Sequence, residues 1–164
     1  MTSEIKTAKV KRRKLWFHSI DELLSELDRI EAAERNGKLK TQGNWTAGQI
    51  LAHISAWIEY SWDGYPIGPP PFFIKWLLVR MGRRYIRKGM PAGAKIPGVD
   101  GGTKGQDRMP TNEALTRLRN ALGRLKSGEA PLHDSPAFGP MSYEDRIQLN
   151  LRHAELHLSF LELD

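Results

Sequence analysis

Residues 46–58 read Thr46-Ala47-Gly48-Gln49-Ile50-Leu51-Ala52-His53-Ile54-Ser55-Ala56-Trp57-Ile58, a helix that marks both its start and its buried side. Thr46 and Gln49 stand three apart, so each side chain can satisfy the other's free backbone N–H at the helix start. Ile50, Leu51, Ile54, Trp57 and Ile58 then recur at helical spacing, and Gly64 and Pro66 close the element.

The same grammar repeats outward. Ser19-Ile20-Asp21-Glu22 is a second capping box, followed by Ile20, Leu23, Leu24, Leu27 and Ile30 and a stop at Gly37. Pro69-Pro70-Pro71 forces an extended turn, after which residues 72–88 read as a short basic helix ended by Gly89 and Pro91. Residues 89–110 are rich in Gly and Pro without periodicity and form a long loop, of the kind that often carries function. A helix capped near Thr111 carries Leu115, Leu118, Leu122 and Leu125 and ends at Gly128. A proline-bearing loop, 129–141, leads to the last helix. It starts after Ser142 and runs through Ile147, Leu151, Ala154, Leu158 and Leu161. No strand and no internal repeat are evident. Four amphipathic helices and one basic helix indicate an all-α, four-helix bundle over residues 16–164, behind a basic flexible arm at 1–15.

The chain has 164 residues and a net charge of +6, sized for one domain. It has no cysteine, which excludes disulfides, cysteine zinc sites and a cysteine nucleophile. The polar, basic start lacks an apolar leader, so a cytoplasmic location is expected. The longest apolar run, Phe72–Val79, is broken by Lys75 and falls short of the roughly 20 residues that span a bilayer, so no membrane partner is expected.

His153 and His157 lie four apart on the last helix, one turn apart on one face, the geometry with which paired helical histidines chelate zinc. Leu149 and Phe160 share that strip, so the rings point toward the bundle. His53 sits at the edge of the apolar stripe of its own helix, placed to supply a third ring. Three neutral imidazoles leave a fourth position open, the pattern of a catalytic rather than a structural ion. His18 and His133 read as ordinary histidines.

The block Asn44-Trp45-Thr46-Ala47-Gly48-Gln49-Ile50-Leu51-Ala52-His53 and the later His153-x-x-x-His157 resemble motifs of the DinB-like superfamily. Ile58–Pro66 and Phe138–Ser142 look like one of its branches of unknown function. The resemblance spans about residues 16–164. It implies an up-down-down-up bundle, a long crossover that here holds the basic helix, and a homodimer. It also implies one metal ligand on the second helix and two on the last, matching His53, His153 and His157. Characterised relatives are metal-dependent transferases or isomerases that use low-molecular-weight bacterial thiols. Two departures stand out. Ser135-Pro136 replaces a His-Pro common in the branch, and loop 89–110 has no thiol-binding pattern, so the substrate does not carry over.

Two function classes follow. In the first, a divalent metal, zinc or nickel, activates a small bacterial thiol or a water, for thiol transfer to an electrophile or for hydrolysis. Tyr60 is then the candidate acid–base or orienting group, ahead of Glu59. Asn150, three residues before His153, is a candidate supporting group, and Arg146 a candidate receiver of a substrate carboxylate. In the second class, a basic binding module for nucleic acid or acidic surfaces would use the arm and the 80–88 helix, with Trp76 and Tyr85 interleaved. That reading leaves the inward histidines unexplained and ranks lower, and the basic helix end reads as solvated.

Overall fold

The computed structural model describes residues 5–96 and 99–164, so the first four residues of the arm and two of the long loop lie outside it. The structure is mostly helical: α1 Ile20–Arg35, α2 Ala47–Asp63, α3 Phe72–Lys88, α4 Thr111–Lys126 and α5 Tyr143–Leu158. The core is built by α1, α2, α4 and α5, through Leu23, Leu27, Leu51, Ile54, Leu118 and Leu151 among others. The most extensive helix–helix contact is α2 against α4, with α5 packed on α2. α3 buries only Gly82 and lies outside this core.

The capping box of α2 is complete: Thr46 Oγ1 accepts from the Gln49 N–H, and Gln49 Oε1 accepts from the Thr46 N–H. That of α1 is half formed, because Ser19 accepts from the Glu22 N–H but the Glu22 carboxylate turns to the His18 N–H instead. Ser142 caps α5 by accepting from the Asp145 N–H.

Three expectations need correction. α3 is not short; at 17 residues it equals α2. Thr111 is the first residue of α4 rather than its cap, since Pro110 occupies the N-cap position without a side-chain bond. The last helix stops at Leu158, and Leu161–Glu162 forms a strand, β2, antiparallel to β1 at Lys40–Thr41. Leu161 is still buried, so the apolar pattern is kept while the backbone leaves the helix to find the β1 partners. The described part of the arm lies against the bundle: the Arg13 N–H donates to Ser159 O and its guanidinium pairs with the buried Glu26.

Loop 89–110 crosses the start of α2 closely enough to reverse an ordinary rule. Glycine inside a helix usually gives about 0.5–1 kcal/mol when replaced by alanine. A Cβ on Gly48 would sit 2.0 Å from Met109 O, a backbone atom that cannot swing aside. Gly123 on α4 has nothing within 4 Å of that position. Gly48→Ala should therefore lower the urea midpoint by a loss of about 1–3 kcal/mol, while Gly123→Ala raises it. Equal shifts in the two variants would contradict the close approach.

Candidate metal centre

α2 carries His53 inward, and α5 presents His153 and His157 one turn apart on the face that meets it. The three rings converge, with centroids 5.0 Å (His53–His153), 4.4 Å (His53–His157) and 4.6 Å (His153–His157) apart. One ring nitrogen from each lies within 4.8 Å of the other two, an arrangement that can hold a metal ion. His53 is 2% exposed, and the other two residues are half-buried.

Backbone from the long loop orients the set. His53 Nδ1 lies 2.8 Å from Lys104 O. A carbonyl only accepts, so Nδ1 bears the proton and Nε2 keeps its lone pair. That Nε2 lies 3.2 Å from Nε2 of His153. Two nitrogens bound to one tetrahedral zinc lie about 3.3 Å apart, given bonds of about 2.0–2.1 Å. The pair thus stands at ligand spacing. Without an ion, His153 must donate its Nε2 proton to His53.

Tryptophans fix the remaining freedom. Trp45 stacks on His157 at 5.5 Å and 11°, and also flanks His53 at 4.9 Å. Trp57 stands edge-on to His53 and His153, both at 6.1 Å, and its Nε1–H donates to the same Lys104 carbonyl. One carbonyl therefore positions a ring of the triad and a wall of its enclosure.

Burial pushes the His53 pKa down to about 4, against a smaller upward pull from Lys104 O. His153 and His157 are held well below the usual histidine range by burial first, and then by neighbouring imidazoles, with Arg12 also acting on His157. All three are neutral at pH 7, the state that binds metals.

The other candidates lie around this centre rather than in it. Tyr60 stands edge-on to Trp57 at 5.6 Å and tilted against Tyr65 at 5.9 Å. Its pKa is raised by burial and then by Asp107, so the phenol stays protonated at neutral pH. Asn150 Nδ2 donates to Arg146 O, back along its own helix. Glu59 is taken by Arg117, with contacts of 2.6 and 3.0 Å to one carboxylate oxygen and 3.1 Å to the other. Arg146 is buried, donates to Glu129 O and lies over the Trp62 ring, and no carboxylate pairs with it among the described residues. His18 and His133 are exposed and apart from the cluster. Trp45, Trp57 and the Lys104 carbonyl were not among the candidate site groups, and Trp57 was placed only in the apolar stripe of its helix. The first lay within the quoted motif and the last within the flagged loop.

No curated protein and no solved structure matches the chain. A family model described as a protein of unknown function (DUF1569) matches residues 9–163, and the chain belongs to that family.

Proposed function

We propose that this protein is a metal-dependent enzyme of the DinB-like kind, with its helices in up-down-down-up order, and that it transfers a low-molecular-weight thiol to an electrophile. Metal-assisted hydrolysis is the second reaction in rank. The observation that carries the reading is the convergence of three neutral imidazoles, two of them at ligand spacing, with no carboxylate in the set.

Bland packing is a poor account of this cluster. His157 makes no side-chain hydrogen bond among the described residues, so its ring nitrogens are not committed to a protein partner. A bound zinc or nickel ion would supply Lewis acidity, lowering the pKa of a thiol or water beside it. The chain's own part is preparatory. Lys104 O holds His53 in the tautomer that leaves Nε2 free, and Trp45 holds the plane of His157. Trp57 covers one side and limits water. Tyr60, protonated, can donate a hydrogen bond to a substrate or leaving group. Asn150 supports α5 through its bond to Arg146 O. With no cysteine in the chain, a thiolate nucleophile has to arrive from outside.

Protein purified without chelator or histidine tag should carry, or take up on zinc or nickel addition, about one ion per chain. Turnover of a bacterial thiol with a chloro-aromatic or epoxide acceptor should vanish on chelation and return with metal. Failure to bind either ion, or turnover indifferent to chelation, overturns the reading.

A further inference from the structure

α3 presents one solvent-facing side that is divided along its length. At about 100° per residue, Phe72, Phe73, Trp76 and Leu77 fall within one half of the helix circumference. Arg80, Arg83, Arg84, Arg87 and Lys88 continue the same side toward the C-terminal end. All nine residues are exposed, Phe72 by 86% and Trp76 by 69%. The opposite side is the packed one, where Gly82 meets Phe138 and Tyr85 stands edge-on to that ring at 6.3 Å. Four large apolar side chains side by side in water mark a surface that meets something. Pro71 is the N-cap of α3, so the apolar residues form the N-terminal end of this helix.

Charge selects the partner. α3 contains no Asp or Glu, so a second copy of this face would bring five more cations and nothing to neutralise them. Nucleic acid would engage the arginines and stack on the aromatic rings, but it offers nothing to Leu77 or to the partly exposed Ile74. A lipid surface with anionic headgroups matches both halves. Phe, Trp and Leu enter the boundary between headgroups and acyl chains, and arginines meet the phosphates. No described helix is long and apolar enough to cross a membrane, so the contact is peripheral.

We propose that α3 is a membrane-surface anchor that docks the protein on anionic lipid, its Phe72–Leu77 end inserted and its arginines at headgroup level. The full chain should co-sediment with phosphatidylcholine vesicles containing about 30% phosphatidylglycerol, and at least about tenfold less with pure phosphatidylcholine vesicles or in high salt. Phe72→Ser/Phe73→Ser/Trp76→Ser should reduce binding about tenfold or more, and so, separately, should Arg80→Gln/Arg83→Gln/Arg84→Gln/Arg87→Gln. These side chains are exposed, so circular dichroism and the thermal midpoint should not change. Vesicle binding untouched by both variants, or no vesicle binding at all, overturns the proposal. So does self-association abolished by the serine variant, which makes a second copy the occupant. Arginine-dependent retention on DNA without vesicle binding overturns it in favour of nucleic acid.

Discussion

His153→Ala should lower zinc affinity at least about hundredfold while the helices stay folded. Losing a group that merely orients a ligand costs about 10–100-fold, and losing a ligand itself costs more. His153 is the pivotal choice because its Nε2 faces that of His53 at 3.2 Å, and its ring also meets His157 and Trp57. The fold should survive because the residue is half-buried and outside the apolar cluster that joins the helices. Competition against a chromophoric chelator reads the affinity, and far-UV circular dichroism reads the helix content. His18→Ala, at an exposed position away from the cluster, should bind zinc as the unchanged protein does. Equal affinity in the two variants would falsify the three-histidine centre.

Metal-free protein should lose stability steeply as pH falls from about 6.5 to 4. The native state holds His53 at about 4 and keeps His153 and His157 low as well. The unfolded chain binds protons near 6.5. Above that pH both states are neutral at these positions and nothing is lost. Below it the unfolded state takes up protons that the native state refuses, so the stability present at neutral pH drains away. By pH 4 the share of His53 alone is about 3 kcal/mol, from a shift of roughly 2.5 units at 1.36 kcal/mol each. Glu155 acts in the opposite sense, since burial raises its pKa and makes its protonation favour the fold at low pH. Urea midpoints at pH 7 and pH 5 should separate clearly for the metal-free protein. They should separate much less for a variant with Gln at positions 53, 153 and 157, which keeps the Glu155 contribution. The same separation in both proteins would place the acid sensitivity elsewhere.

Both expectations start from residues legible in the sequence. The i,i+4 spacing of His153 and His157 needs only a helix to become geometry, and Ser142 with Asp145 marks that helix plainly. Thr46–Gln49 sets the phase of α2, and the phase sends His53 inward. The Lys104 carbonyl was out of reach because every residue carries one, and only the path of the loop selects this one. Trp57 looked like a core residue, since helical phase says which side it faces and not what waits there. The β1–β2 pair is two residues per strand, too brief for an alternating pattern to register. Leu161 kept the helical period after the helix had ended, which is why the last element looked longer than it is. The exposure of α3 was hidden for a related reason: its apolar residues are ordinary in composition, and their place in water is a property of the packing.

The histidines that face each other stand 100 positions apart in the chain, and the side-chain bond beside the β1–β2 clip, Gln42 to Glu162, spans 120. Contacts of such reach carry a larger loop-closure entropy cost than local ones. During synthesis, a chain that has produced α1, α2 and α4 already owns most of its apolar interface but holds one imidazole of three. A single imidazole would hold an ion only weakly. On the proposed metal-dependent reading, a complete ligand set would exist only once α5 is in place against α2. Retained metal would then report that the chain has folded through α5, because two of the three imidazoles lie on that last helix.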